Sequence, residues 1–224
     1  MQQLKKEKGC ELLEILKRLS LCLAIPIVSM IYPILNRYRG NLHILKLPID
    51  DLIPFSKIFI LPYASWSPFV ATFLIILCIL DKEKYFKLLS SLVIGMLICY
   101  LIYYIYPTYV ERPFVENKDF LDKVVLWVYG RDNPYNCWPS IHVLNSFLVA
   151  MYTSSSKKIN ILGKTICITI AILIMLGTMF VKQHYLLDVV AGIALGSGLY
   201  FGLEVFVNYV LRDKIKEKVK TLAE

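Results

Sequence analysis

Apolar residues run along this chain in long blocks and do not form a stripe that returns every three or four positions. The blocks cover about 19–35, 58–80, 88–106, 140–153, 161–180 and 184–211. Unbroken runs of this kind point to lipid as the surrounding solvent, because a helix needs about 20 mostly apolar residues to cross about 30 Å of hydrocarbon. The pattern predicts an all-α, polytopic membrane helix bundle with six transmembrane helices, forming one domain over residues 1–224. Pro26 is expected to kink the first block, and Pro62 and Pro68 fall in the second; spanning helices tolerate both. Tyr63 and Trp66 near the start of the second block, and the tyrosines from Tyr100 to Tyr109 at the end of the third, read as interfacial belts. The stretch 36–57 is polar but carries Leu42, Ile44, Leu45, Leu47 and Leu52, which suits a membrane-surface segment and a solvated loop equally.

A 57% hydrophobic composition and a mean hydropathy of +0.59 agree with that picture. The net charge of +8 raises the question of nucleic acid. The placement of the lysines argues against such a partner, since they sit in short runs beside apolar blocks, as in cytoplasmic loops that meet anionic lipid headgroups. With the N-terminus inside, the inner segments hold sixteen of the 25 Lys and Arg residues: Lys5, Lys6, Lys8, Lys17, Arg18, Lys82, Lys84, Lys87, Lys157, Lys158, Lys164 and five in the tail from Arg212. The bias predicts an integral protein of the plasma (inner) membrane with both termini cytoplasmic. The first block lacks a small-residue cleavage site and reads as a retained span. Cys22, Cys78, Cys99 and Cys167 lie inside apolar blocks as small hydrophobes, Cys10 lies near the charged start, and no CxxC or zinc spacing occurs.

On this map the unusual polar residues gather at one rim. Arg112-Pro113 follows the third block, Pro139-Ser140-Ile141-His142 opens the fourth, and Lys182, His184 and Asp188 lie where the fifth turns into the sixth. All three clusters are expected on the extracytoplasmic side. His184 and Asp188 are four apart and share one helix face, so the carboxylate can fix the imidazole tautomer and leave the other nitrogen nucleophilic. His142 can protonate a leaving oxygen and then take a proton from the incoming group. Arg112 offers a planar fork to phosphate oxygens, Lys182 a compact charge, and Ser140 a hydroxyl beside the free N–H groups of a helix start. Each residue alone has a plain structural reading: an interfacial anchor, a topology determinant, an ordinary helix start. Their meeting on one rim points to phosphoryl transfer, with charge on the transferring group stabilised by fixed donors. Glu204 lies deep in the sixth block, where a snorkelling or helix-paired carboxylate and a proton-path residue are the two readings. His43 reads as a loop residue, and Asn136 and Cys137 adjoin the site.

These residues resemble the type 2 phosphatidic acid phosphatase superfamily, whose pattern is Lys-x6-Arg-Pro, Pro-Ser-Gly-His and Ser-Arg-x5-His-x3-Asp. Arg112-Pro113, Pro139-Ser140-x-His142 and His184-x3-Asp188 match in order and spacing. The resemblance implies His184 as a phosphohistidine nucleophile, Asp188 as its orienting partner and His142 as general acid and base. It also implies Arg112 and Ser140 as phosphate ligands, and a reaction without metal or other cofactor. The chain departs from the pattern at Ile105, where the family has its lysine, at Gly177 and Thr178 in place of Ser-Arg, and at Ile141 in place of glycine. Lys182, two residues before His184, is a candidate replacement cation. The run Cys137 to His142, with Lys182-Gln183-His184-Tyr185, resembles the branch containing inositol phosphorylceramide synthases. Three readings follow. One is a lipid phosphatase acting on a lipid phosphate or diphosphate. The second is a lipid head-group phosphotransferase on the same scaffold, and the third a non-catalytic lipid-binding membrane protein. Membrane lipids are the expected surroundings in all three.

Overall fold

The computed structural model describes the backbone over residues 2–223 and side chains over 12–207, 209 and 210. The side chains of Lys5, Lys6, Lys8, Cys10 and the tail from Arg212 lie outside the described residues. The first span, Leu12–Leu35, is a bent run of α1 (Gln2–Leu21), α2 (Ala24–Ser29) and α3 (Tyr32–Leu35). Proline explains both bends. Pro26 and Pro33 have no N–H for the carbonyls four residues earlier, so the ladder tightens to three-residue bonds, Cys22 N–H to Leu19 O at 3.0 Å and Ile31 N–H to Val28 O at 3.1 Å. The second span, Lys57–Leu80, is likewise jointed, into a 3-10 turn (Lys57–Phe59), α5 (Ile60–Ala64) and α6 (Trp66–Leu80), with Pro68 following the joint at Ser65. Between these two spans lies the short α4 (Pro48–Leu52).

The third span is α7 (Lys82–Ile105), started by the Asp81 side chain, which accepts from Lys84 N–H. The polar segment after it contains a helix that the hydropathy pattern does not announce, α8 (Phe120–Arg131). Asp119 and Asp122 cap each other's backbone N–H groups at its start, a reciprocal arrangement that satisfies two orphan donors. Then come α9 (Ile141–Ser155), α10 (Ile161–Phe180) and α11 (Leu186–Ala223).

Five of these runs are long and apolar enough to cross a membrane. The expected fourth span is the exception. At 15 residues α9 is only about 22 Å long, short of about 30 Å of hydrocarbon. It does not have to match the bilayer by itself, because α6, α7, α10 and α11 wrap it and bury Val143, Leu144, Leu148, Val149 and Tyr152 completely. The core of the bundle is built on these residues together with Leu77, Leu88, Leu92 and Ile174. Cys78, Cys99 and Cys167 are fully buried among them.

α11 comes unusually close to the start of α9. A side chain added at Gly192 would lie 2.9 Å from the Ser140 carbonyl oxygen and 3.1 Å from Val143. Only glycine admits that approach, and it brings the first turn of α11 against the first turn of α9. At the opposite end Glu204 pairs with Lys84 at 2.9 Å and Lys87 at 2.8 Å, which is the helix-paired reading of that carboxylate.

Candidate active site

The turn between α10 and α11 is set by backbone geometry. Lys182 adopts a left-handed conformation with φ +52°, and the Thr178 carbonyl then accepts from both Gln183 N–H and His184 N–H at 3.0 Å. This fixes His184 just ahead of α11. In the first turn of that helix, Asp188 Oδ2 accepts from Tyr185 N–H at 2.9 Å and lies 3.3 Å from His184 Nδ1. Both side chains are buried, Asp188 to 1% exposure. The expected i, i+4 pair is therefore formed, and His184 Nε2 is left free of it.

His142 stands in the first turn of α9, with its ring centroid 5.8 Å from that of His184. Tyr63 stacks on one side of it at 4.7 Å and Trp66 packs at 4.4 Å. Neither aromatic belongs to an interfacial belt: Tyr63 is 4% exposed, and the joint at Ser65 turns both rings inward. Both histidines line one cavity of about 260 Å³, together with Tyr32, Trp66, Tyr100, Tyr103, Asp132 and Asn136. The tyrosines at the end of α7 thus divide. Tyr100 and Tyr103 are buried cavity walls, Tyr103 donating to Pro139 O at 2.6 Å, while Tyr104 is exposed. His43, as a loop residue, stacks on Tyr106 at 3.9 Å, away from the histidine pair.

Arg112 approaches from the segment after α7. Its guanidinium donates to Tyr129 O at 3.2 Å and to Gln183 Oε1, and stacks 4.4 Å over the Tyr129 ring. Tyr129 is itself held by a 2.6 Å bond to Val181 O, and burial pushes its hydroxyl up to about 12. Ser140 is fully buried at the start of α9, accepting from Val143 N–H at 3.3 Å, while its own N–H donates to Asp188 O at 3.1 Å. It ties the two histidine-bearing turns together. Lys182 points the other way. Its ammonium donates to the carbonyls of Asp50, at 3.0 Å, and Ile53, on a separate polar pocket shared with Lys46 and Arg112. Burial pulls the Lys182 ammonium below its ordinary value, against the opposing pull of Asp50.

Trp66 Nε1, in the wall of the histidine cavity, is a buried donor without a partner, and so are Nε of Arg112 and Nε2 of its partner Gln183. An unpaired buried donor costs on the order of 1–3 kcal/mol, so each of these N–H groups suits an acceptor oxygen brought by a ligand. Among the described residues no three His, Cys, Asp or Glu side chains gather as a metal-ligand set.

Residues 43–201, well over half of the chain, match the family model of the PAP2 superfamily. The chain belongs to the PAP2 superfamily. Over 115 residues it is 30% identical to an uncharacterized protein of Methanocaldococcus jannaschii, covering 50% of this chain and 45% of that relative. The chain thus matches less than half the length of the relative. No solved structure matches it. Membership together with five long apolar helices among the described residues makes this PAP2 protein an integral membrane protein.

The departures from the PAP2 pattern have visible consequences. Ile105 is exposed and far from any polar role. Gly177 lets the 3-10 turn approach, since a side chain there would lie 3.1 Å from Phe59 O, and Thr178 supplies the carbonyl that shapes the His184 turn. Sequence reasoning missed Gln183, Trp66, Asp132 and Asp50. Asp50 accepts from Leu47 N–H and Leu186 N–H at 2.8 Å each, so the polar 36–57 stretch clasps the start of α11. Its partner lies 136 positions away, and no local pattern signals it.

Next to the histidine cavity, and sharing Ser29, Pro33, Trp66 and Met96 with it, lies an apolar groove of about 530 Å³ between α2 and α6.

Proposed function

We propose that this protein is a membrane lipid phosphatase that hydrolyses a lipid phosphate or diphosphate through a phosphohistidine intermediate, with its site on the extracytoplasmic face of the plasma membrane and both termini cytoplasmic. One observation carries the reading: His142 and His184 face each other across one cavity, 5.8 Å apart, with Asp188 behind His184. With Nδ1–H donated to Asp188, the Nε2 lone pair of His184 attacks phosphorus. The N–P bond forms as the bond to the leaving oxygen breaks, and protonated His142 gives that oxygen its proton. His142 then takes a proton from water, whose oxygen attacks phosphorus. The N–P bond breaks, its electron pair returns to Nε2, and phosphate leaves.

Arg112, oriented by Gln183 and Tyr129, and Trp66 Nε1 provide donors for phosphate oxygens. Ser140 acts by holding the start of α9. Lys182, engaged by two carbonyls, adds positive field from the turn's other side. The apolar groove suits the acyl or prenyl chain of the substrate, which supports a lipid rather than a soluble phosphate.

Replacing water by a lipid alcohol gives the head-group phosphotransferase, and the carboxylate of Asp132 in the cavity wall favours a substrate with more than a bare phosphate. A lipid-phosphate panel read by mass spectrometry reports substrate and product together. We expect acid-labile covalent labelling from a radiolabelled lipid phosphate, lost together with turnover in His184→Ala. Full turnover in that variant would sink the mechanism.

A further inference from the structure

Asp132 ends α8 and reaches into the catalytic cavity. Its Oδ1 accepts from Tyr32 O–H at 2.5 Å and Asn36 Nδ2 at 2.9 Å, and its Oδ2 from Tyr63 O–H at 3.1 Å. A carboxylate has about four acceptor positions, so one on Oδ2 stays open. No lysine, arginine or histidine forms an ion pair with it among the described residues.

This placement is adverse for a bare phosphate. Tyr63 alone separates Asp132 from the chemistry, its hydroxyl on the carboxylate and its ring stacked on His142. A second negative charge so close to a phosphate dianion, in a space of about 260 Å³, opposes binding unless a positive charge lies between them. The wall beside Asp132 suits such a charge. Tyr32, Tyr100 and Tyr103 form a near-equilateral triangle with centroid separations of 6.3, 6.4 and 6.2 Å, and all three line the cavity. Ring faces around a carboxylate are the surroundings that hold an ammonium group by cation–π attraction and charge.

We propose that Asp132 with Tyr32, Tyr100 and Tyr103 is a subsite for an ammonium group carried a few bonds from the reacting phosphate, so that the substrate is an amine-bearing phosphate ester of a lipid. The inference rests on the phosphoryl-transfer reading and narrows its substrate class. Asp132→Asn is a clean variant. Its oxygen keeps the bonds from Tyr32 and Asn36, and its amide donates to the Tyr63 hydroxyl, so the knot joining α3, α5 and α8 survives without the charge.

The test compares dihexanoyl phosphatidylethanolamine with its N-acetylated, uncharged counterpart, by native mass spectrometry of the purified full chain. The wild type is expected to bind the amine at least about tenfold more tightly, as for a desolvated ammonium held by rings and a carboxylate, and Asp132→Asn to bring the ratio near one. Equal binding of the two lipids by the wild type overturns the subsite and needs no variant. So does a preference that survives Asp132→Asn. Phosphatidic acid turnover on the same preparation separates the two layers. Turnover without amine preference sinks the subsite alone, whereas loss of turnover and labelling with every lipid sinks the catalytic reading.

Discussion

Replacing Asp188 by asparagine removes a charge and leaves the hydrogen bonds in place. Both contacts, from Tyr185 N–H at 2.9 Å and His184 Nδ1 at 3.3 Å, fall on the same oxygen, Oδ2. The asparagine carbonyl can occupy that position, so the turn and the imidazole tautomer persist. What changes is the response to catalysis. On the proposed mechanism the His184 ring becomes cationic as Nε2 bonds to phosphorus, and the carboxylate at 3.3 Å stabilises that charge. For full charges at this separation and an effective dielectric of about 20, the attraction is roughly 5 kcal/mol. With the charge about half developed at the transition state, roughly 2–3 kcal/mol is lost, or about a hundredfold in rate. Quench-flow measurement of phosphohistidine formation with a radiolabelled lipid phosphate reads this step directly. The melting temperature of the variant is expected to stay within a few degrees of wild type. A labelling rate within threefold of wild type would refute the charge-stabilising role of Asp188 in the phosphorylation of His184.

Four further outcomes follow from the same geometry. Gly192→Ala places a methyl group 2.9 Å from Ser140 O and is expected to cost about 1–3 kcal/mol by overpacking, read as a lower melting temperature together with lower turnover. Asp50→Ala removes the acceptor for Leu47 N–H and Leu186 N–H, costing about 1–2 kcal/mol. Hydrogen exchange should then rise first at the start of α11. Arg112→Lys loses the fork held between Tyr129 O and Gln183 and the stacking on Tyr129. A KM raised about tenfold or more is expected, seen in steady-state assays across lipid mole fraction. The pairing of Lys57 with Asp119 and Asp122 holds both carboxylates below their ordinary range. Their contribution to stability is present above about pH 4 and fades as pH falls through the lowered values. The protection factor at the start of α8, exchange corrected for its intrinsic pH dependence, should therefore fall on acidification and stay flat around neutral pH.

The blocks of apolar residues were enough to place five spans, because lipid demands unbroken length and the prolines within the runs bend them without ending them. The His184–Asp188 pair and the place of His142 in the first turn of a helix were legible too, since i, i+4 spacing and helix starts are local features. What stayed hidden depends on distant partners. α8 has only a short apolar face inside a polar segment, so neither its helix nor Asp132 at its end stood out. Tyr63, Trp66, Tyr100 and Tyr103 looked like belt residues because hydropathy cannot tell an aromatic at the interface from one turned inward by a helix joint. α9, expected as a span from the block 140–153, is apolar because it is buried among other helices, a condition that composition does not distinguish from contact with lipid.

The groove between α2 and α6 lies beside the histidine cavity and shares Ser29, Pro33, Trp66 and Met96 with it, a side door for a lipid on the proposed reading. A substrate arriving by that door keeps its chains in the hydrocarbon throughout. Its encounter rate is then set by how crowded the leaflet is with competing lipids, and diluting the substrate with inert lipid should slow the enzyme as effectively as removing it. Adding water to the suspension, with the membrane composition fixed, should change nothing.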